Sequence, residues 1–419
     1  MFYKYKILFK FLFKFLYMNL FLLTFILCKM TNQQNQQNQQ NQQNQQNQQN
    51  QQLLEQYAPI VCFHKEEKYL PLDMDIILQN STLKDFTTNK IITSPSNREL
   101  YDFAKSHDFK PIGNGNVVLS IDKSLYNHSY PLEDQSIYAI VREKEGKTYI
   151  TYIILFPYNG DYNILRHGRA GSHPGDLEHY TVELDKDKNL TRVHFSAHGY
   201  KDGRWVSKDE LQFEHGRIVV FSALNGHGLY HKDGMAFRIG GLANDYLERG
   251  PRWNPKVNEI FARTNPNFNI DTMGWTVYNG RIGGSLLKPN TEGIMGPEDK
   301  NWYGPDATMI DELDEKFYKP PPIISNKIAK PLFFLSQSFT VALIYIFVFL
   351  LLIYLDKHIM LFYNNPFLKS LVAIMILKLS YKLIPNDNNV YYKHLMALFT
   401  LFAIIYFFNI SEREIRERL

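Results

Sequence analysis

The chain has 419 residues, of which 45% are hydrophobic and 15% aromatic, and its formal net charge is +4. This length and composition suffice for one sizeable core and leave apolar sequence over for a membrane. The small, dispersed positive charge argues against nucleic acid as a partner.

The first 28 residues have the pattern of a secretory signal. Four lysines lead into an apolar run from Phe15 to Cys28, and no acidic residue occurs before Glu55. We therefore predict a signal peptide over residues 1–28. Ile26 and Cys28 are not the small pair of residues expected at a signal cleavage site. An uncleaved signal anchor is therefore the alternative.

The next segment, residues 29–54, is an Asn/Gln-rich repeat. The triplet NQQ occurs seven times from Asn32 to Gln52, with no apolar residue. Such a tract cannot build a core. We predict a disordered spacer.

Residues 55–320 are predicted to form the folded domain. Two apolar-rich runs, Ser136–Arg142 and Thr148–Phe156, flank a turn at Gly146, which is typical of a β-hairpin. Short runs between Gly, Asn and Asp turns continue without long helical periodicity. The pattern predicts a mainly β fold, an antiparallel β-sandwich. The charged run 65–68 is interpreted as a solvated loop.

The main chemical motif of this domain is SHPGDLEHYTVEL, residues 172–184. Alternation along a strand places Asp176 and Glu178 on one face, in line with apolar residues that follow. Buried carboxylates need a cation, an arginine or a shared proton. His173 is a candidate third ligand, and such an oxygen-rich set suits Ca²⁺, Mg²⁺ or Mn²⁺. A hydrogen-bonded structural network is the alternative.

Two further histidines follow neighbouring strand patterns. SAHG places His198 after one apolar alternation, and NGHGLY places His227 after the next. If these strands end at one edge of a sheet, both histidines converge on Asp176 and Glu178. With His179, they are candidate supporting or ligand-binding residues.

Several motifs in order resemble the vacuolar protein sorting-associated protein 62 family. They are YAPIVCFHKEEKYLP, FPYNG, GRAGSHPGDLEHYTVEL, RVHFSAHG and VVFSALNGHGLY. The resemblance covers roughly residues 55–305. The chain departs from the family's usual GDWEH pattern because Leu177 replaces the tryptophan. The family's name implies a role in sorting but supplies no mechanism.

A more distant resemblance connects the motif to metal chemistry. The secreted necrosis-inducing protein family carries a GHRHDWE heptad with a bound divalent cation. Its H-x-x-D-x-E skeleton is matched by His173, Asp176 and Glu178. The resemblance implies these residues as metal ligands, with Asp161 as a weaker candidate for an upstream acid. It also implies a single antiparallel β-sandwich.

The ends and sequons of the chain predict a membrane protein of the secretory pathway. Residues 332–355 lack charge over more than the ~20 residues that cross a bilayer, so a transmembrane helix is predicted there. The stretches 367–384 and 395–410 are further candidate spans. Sequons at Asn80, Asn127 and Asn189 favour a lumenal or extracellular β domain. Basic residues that flank a span normally stay on the cytoplasmic side, so the lysines before residue 332 argue against a lumenal β domain.

These patterns support a membrane-tethered β-sandwich that binds a divalent cation and, through it, a glycan or lipid headgroup. A metal-dependent hydrolase is the first alternative. Neither the nucleophile motif GxSxG nor the zinc-protease motif HExxH occurs, which favours binding over catalysis. The second alternative is a vacuolar or endolysosomal sorting factor without catalysis. All three hypotheses place the chain in the secretory or endolysosomal pathway.

Overall fold

A computed structural model describes residues 29, 48–110, 112, 115–164, 168–198, 202–238, 243–289, 292–297 and 319–329. The described part of the chain is mainly β, as predicted. The α-helices bounded within the described ranges are α1 (Met74–Gln79), α2 (Asn97–Ser106) and α3 (Ile270–Met273), and residues 48–57 and 326–329 are also helical. The strands are β1 (Ile60–Cys62), β2 (Ser81–Asp85), β3 (Lys90–Thr93), β4 (Val117–Ile121), β5 (Ser136–Lys144), β6 (Lys147–Asn159), β7 (Tyr162–Ile164), β8 (Gly168–Ala170), β9 (His173–Leu184), β10 (Leu190–Phe195), β11 (Arg204–Ser207), β12 (Phe213–Glu214), β13 (Arg217–Ser222), β14 (Leu229–Tyr230), β15 (Gly234–Ala236), β16 (Asp245–Leu247), β17 (Arg252–Trp253), β18 (Lys256–Glu259), β19 (Arg281–Ile282), β20 (Ile294–Met295) and β21 (Ile323–Ile324).

A six-stranded sheet in the order β11-β10-β9-β6-β5-β18 forms the centre of the fold. Its longest ladder joins β6 to β9, with Phe156 opposite Asp176. The predicted hairpin is confirmed: β5 and β6 meet at a two-residue turn, where Glu145 and Gly146 both have positive φ, at 52° and 75°. Positive φ at both positions matches the right-handed strand twist.

Both faces of this central sheet are covered. One face packs against the sheet β12-β13-β1-β17, around Tyr152, Tyr180 and Trp253. The other packs against β20-β19-β4-β2-β3 and helices α1 and α2, around Leu177 and Trp275. The two faces of β9 therefore pack into two different cores, because successive side chains of a strand point to opposite faces of the sheet.

The sheets are mixed, which corrects the prediction of a purely antiparallel sandwich. Among the strands of the described ranges, three pairs run parallel: β1 with β13, β5 with β18, and β4 with β19. Each joins segments far apart in sequence. Apolar alternation shows which face of a strand is buried and carries no information on its direction, so these pairs were not predictable from the pattern.

The ends of the predicted domains are only partly within the described ranges. Residues 48–57 are helical and Leu54 is fully buried, so ordered structure includes the end of the predicted spacer. No helix in the described ranges has the length and apolar character for a membrane crossing. The predicted signal (1–28) and spans (332–355, 367–384, 395–410) lie outside those ranges.

Candidate functional site

Three side chains from distant segments form a buried acid–histidine–acid row. His227 Nδ1 lies 3.0 Å from Asp176 Oδ2, and its Nε2 lies 3.8 Å from Glu67 Oε1. The His227 ring is fully buried and stacks on Phe156, with centroids 3.8 Å apart and planes 2° apart. The ring is therefore fixed between the carboxylates of Asp176 and Glu67 and packs on Phe156 of the central sheet.

A tight turn after β13 delivers His227 to this position. His227 N–H donates to Ala223 O at 3.0 Å, and both Asn225 and His227 adopt positive φ, at 65° and 55°. Asn225 N–H donates to Glu67 Oε2 at 2.6 Å, so the loop after β1 holds the turn in place. A left-handed backbone conformation is uncommon for residues other than glycine. It persists at Asn225 and His227 because the surrounding contacts hold the turn.

The two carboxylates favour a protonated His227. Burial acts to lower its pKa, but Asp176 and Glu67 outweigh burial and raise the pKa to about 9. Burial likewise acts to raise the pKa of Glu67, but His227 and the backbone N–H groups of Tyr69 and Asn225 lower it overall. At neutral pH the row is therefore an imidazolium between carboxylates. An imidazolium is neither a metal ligand nor a general base.

A second cluster lies around Asp245 at the start of β16. His198 Nε2 lies 2.7 Å from Asp245 Oδ2, Tyr230 donates to the same oxygen, and Arg238 Nη1 lies 3.6 Å from it. Asp245 is fully buried. Burial acts to raise its pKa, but His198, Arg238 and Tyr230 lower it overall. Asp245 is therefore ionised and orients the partly exposed His198 ring.

Tyr162, at the start of β7, connects the two clusters. Its hydroxyl lies 3.3 Å from both ring nitrogens of His198. Burial raises the pKa of Tyr162, and the charges of Asp245, Asp176 and Glu178 raise it further. The hydroxyl thus stays neutral beside several carboxylates.

Two glycines allow this close approach. A Cβ at Gly226 would lie 1.8 Å from the Tyr162 hydroxyl, and a Cβ at Gly228 would lie 2.8 Å from His198 Nε2. The NGHG turn therefore needs glycine on both sides of its histidine. We name the surface formed by Tyr162, Asp176, Glu178, His198 and the turn 225–228 the acid edge.

The structure places the other predicted residues as follows. His173 Nδ1 lies 2.8 Å from Gly175 O, and Gly175, between His173 and Asp176, has a φ of 72°. His179 lies on the face of β9 opposite Glu178. Asp161 borders the acid edge through its backbone, because its carbonyl accepts from Asn225 Nδ2 at 2.9 Å.

Asp176 and Glu178 are the predicted metal ligands that best fit a cation. Both are buried and share one face of β9, and carboxylate oxygens suit Mg²⁺ and Ca²⁺. Within the described ranges, no group of three or more His, Cys, Asp or Glu side chains is arranged to hold a metal ion. The metal site with His173 and Asp161 therefore stays a prediction.

Four residues of the site were not found from sequence: Glu67, Tyr162, Asp245 and Arg238. The interpretation of the run 65–68 as a solvated loop is wrong for Glu67, whose side chain is 1% exposed. The sequence did contain one indication that Glu67 is buried, namely its position between the aromatic residues Phe63 and Tyr69. Asp245 carries no local signal, since β16 is only three residues long.

The predicted sequons occupy different settings. Asn189 is exposed on the turn between β9 and β10, and Asn127 is exposed in the segment after β4. Asn80 Nδ2 donates to Ile76 O at 2.9 Å, at the end of α1. Their glycosylation stays a prediction.

Comparisons with known proteins place the chain beside sorting proteins. The family model described as vacuolar protein sorting-associated protein 62 matches residues 24–254. The chain is 27% identical over 243 residues to vacuolar protein sorting-associated protein TDA6 of Saccharomyces cerevisiae, covering 48% of this chain and 52% of that protein. It is 24% identical over 281 residues to vacuolar protein sorting-associated protein 62 of the same yeast, covering 55% and 59%. The chain thus spans a little over half the length of these relatives.

Solved structures of the necrosis-inducing type are also similar in part. One is described as NLPPya in complex with glucosamine, with a TM-score of 0.31, 10% identity, and coverage of 64% of this chain and 90% of that one. Another is Necrosis and Ethylene inducing Protein 2 from the causal agent of cocoa's witches' broom disease, with a TM-score of 0.27, 16% identity, and coverage of 49% and 72%. These scores are low, and nothing about this chain's ligands follows from them.

Proposed function

Because this chain belongs to the vacuolar protein sorting-associated protein 62 family, we propose that it is a ligand-binding β protein of the vacuolar or endolysosomal sorting pathway. The ligand binds at the acid edge. The chain recognises it there through a divalent cation held by Asp176 and Glu178, without catalysis.

The observation that carries this proposal is the concentration of buried charge at the acid edge. Asp176 and Glu178 are buried on one face of β9, and Asp245 is buried 2.7 Å from His198, whose ring lies 3.3 Å from the Tyr162 hydroxyl. Buried charges are costly, and clusters of them mark functional sites more often than the rest of a protein does. His227 already balances Asp176 from one side. Arg238 likewise lies 3.6 Å from Asp245, so the cation would join a site where acidic and basic groups are already paired.

The ligand class follows from the chemistry of such a cation. Mg²⁺ is commonly held by one or two carboxylates and keeps further positions for water or ligand oxygens. Glycan hydroxyls and lipid phosphates supply those oxygens. His198 and Tyr162 stand beside the site as hydrogen-bonding groups. A membrane tether through the predicted spans would hold the β domain near such headgroups.

The experiment is the melting temperature of the purified full chain in chelator, followed by addition of Ca²⁺, Mg²⁺, Mn²⁺ or Zn²⁺. Tryptophan fluorescence reports on the β domain, because all four tryptophans lie between residues 205 and 302. We expect a selective rise with Ca²⁺, Mg²⁺ or Mn²⁺ that Asp176→Asn and Glu178→Gln abolish. Asp187→Asn, an exposed acid, is the control.

Three outcomes of this experiment separate the alternatives. An unchanged metal-dependent shift in both variants would show that the proposed ligands are wrong. Loss of the shift in His173→Ala would add His173 to the ligand set. No shift with any ion would leave the acid edge as a structural network and favour a sorting factor without metal.

The second candidate function is a metal-dependent hydrolase. The observation that favours it is the His198–Asp245 pair at 2.7 Å, since a carboxylate behind a partly exposed histidine orients a general base. A shift with Zn²⁺ alone, together with hydrolysis lost in His198→Gln, would support it. His227 is unsuited to this role because its raised pKa keeps it protonated.

A further inference from the structure

A separate cavity of about 660 Å³ opens between the sheet β20-β19-β4-β2-β3 and the start of β9. Its walls come from the end of α1, the strands β2 to β4, the turn after β4 and the segment between β19 and β20. Pro174 is its lining residue from β9, and Asp176 and Glu178 are not part of the lining. A cavity of this size is in the range of small-molecule sites.

Three serine hydroxyls of the lining face a ligand mainly as acceptors. Ser81 Oγ donates to Ile77 O at 2.6 Å, Ser94 Oγ to Gln79 O at 2.7 Å, and Ser120 Oγ to Gly284 O at 2.8 Å. A serine hydroxyl has one hydrogen and two acceptor lone pairs. Since each hydrogen is already used within the protein, the lone pairs are what these serines offer.

Two carboxylates strengthen this acceptor character. Asp122 and Glu292 both line the cavity, together with one cation, Lys123. Asp122 Oδ1 accepts from Ser124 N–H at 2.8 Å, and this bond lowers the pKa of Asp122, which keeps it ionised. Hydrogen bonds to an ionised acceptor are roughly twice as strong as those between neutral groups. A matching ligand is therefore rich in donors.

An aromatic wall completes the cavity. Tyr126 lines it and stacks on Tyr158, with centroids 4.3 Å apart and planes 15° apart. Tyr158 in turn meets the edge of Tyr69 at 4.9 Å. This aromatic row holds Tyr126 in a fixed orientation. It offers an apolar surface beside the acceptors.

From this combination we propose that the cavity binds a saccharide. Sugars present many hydroxyl donors around an apolar ring of C–H groups, which matches the serines and carboxylates on one side and Tyr126 on the other. Inorganic phosphate does not match, because it is an acceptor and an anion. This site is independent of the cation proposed at the acid edge.

The saccharide has two sources that the cavity itself does not distinguish. Asn80 lines the cavity and belongs to the sequon NST, so an N-linked glycan at Asn80 would begin at the cavity wall. A free or partner-borne glycan is the other source. Full chain produced in bacteria carries no N-glycan and tests the free source. Full chain from eukaryotic cells tests the attached one.

The test with bacterial full chain is calorimetric titration with glucose, mannose, galactose, N-acetylglucosamine and, as a control, inorganic phosphate. We expect at least one sugar to bind and phosphate not to bind. Asp122→Asn keeps the acceptor for Ser124 N–H but removes the charge, and should weaken sugar binding about tenfold or more. Thr93→Trp, an exposed rim position, should block binding by filling the cavity. Tyr130→Ala and Asp187→Asn, which change exposed residues outside the lining, are controls that should bind normally.

The test with eukaryotic full chain is release of glycans by an endoglycosidase under native conditions. A glycan seated in the cavity should be released from Asn80 at least tenfold more slowly than from exposed Asn189, and Thr93→Trp should remove that difference. The proposal is overturned if no sugar binds the bacterial chain and Asn80 carries no protected glycan. Sugar binding unaffected by Asp122→Asn and Thr93→Trp would also overturn it, because the sugar would then bind elsewhere.

Discussion

At the scale of single residues, the protonation of His227 depends on Glu67 as well as on Asp176. The Glu67 carboxylate accepts backbone N–H groups from Lys68, Tyr69 and Asn225, and it faces the His227 ring. One side chain thus fixes the loop after β1, the turn after β13 and the charge of the histidine between them. The sequence indicated His227 and Asp176, but their third partner comes from a run of charges that resembles ordinary surface.

We predict that Glu67→Gln destabilises the full chain by roughly 2 kcal/mol at neutral pH, the range for a lost hydrogen bond to a charged group. The free energy of unfolding, measured by tryptophan fluorescence in urea, checks this. Glu66→Gln changes the exposed neighbouring acid and should have little effect. Equal effects of the two substitutions would contradict the assigned role of Glu67.

The same variant should move the alkaline limit of stability. In the folded chain the pKa of His227 is raised from 6.5 to about 9, so its protonation stabilises the fold below pH 6.5 and this contribution is lost as the pH rises through 9. Without Glu67 the pKa of His227 should fall, and the loss should begin at lower pH.

At the scale of elements, the turn after β13 brings His227 to the acid edge. The glycines of this turn are the sequence signal that identified it. Repeated Gly-flanked histidines after strand patterns predicted that the strand ends meet, and His227 does reach Asp176. The hairpin at Gly146 was equally predictable because a two-residue turn has strict backbone requirements. Pairing partners such as β5 with β18 were not predictable. In sequence, 111 residues lie between the end of β5 at Lys144 and the start of β18 at Lys256, and no local pattern specifies which distant strand will pair.

We predict that Gly226→Ala destabilises the chain by about 1–3 kcal/mol, the usual cost of overpacking a buried contact. The new Cβ would contact the Tyr162 hydroxyl. A double-mutant cycle with Tyr162→Ala checks this by urea unfolding. In the Tyr162→Ala background, Gly226→Ala should cost much less. Equal costs in both backgrounds would mean that the turn itself, rather than its contact with Tyr162, needs glycine.

At the scale of the whole molecule, two buried histidines limit stability in acid. Burial lowers the pKa of His194 to about 3, assisted by Arg192, and it lowers the pKa of His231 to about 4, assisted by Arg204. The unfolded chain binds these protons near pH 6.5, whereas the folded chain does not. Stability is therefore full above pH 6.5 and is lost as the pH falls towards 4.

We predict a loss of up to roughly 3 kcal/mol for each of these groups between pH 6.5 and 4. The full chain should therefore unfold at lower urea concentration in acid. His231→Asn should flatten this pH dependence, and His215→Asn, which changes an exposed histidine, should not. An acid dependence unchanged by His231→Asn would show that other groups dominate it.

Mn²⁺ bound to the full chain offers the most direct measurement of the central claim, because its anomalous X-ray scattering locates the ion in a crystal. The proposal predicts one peak in contact with the carboxylates of Asp176 and Glu178, displaced by Ca²⁺ or Mg²⁺ and missing in Glu178→Gln. A saturated crystal with no peak at these carboxylates, or with its peak elsewhere, would contradict a cation site at the acid edge.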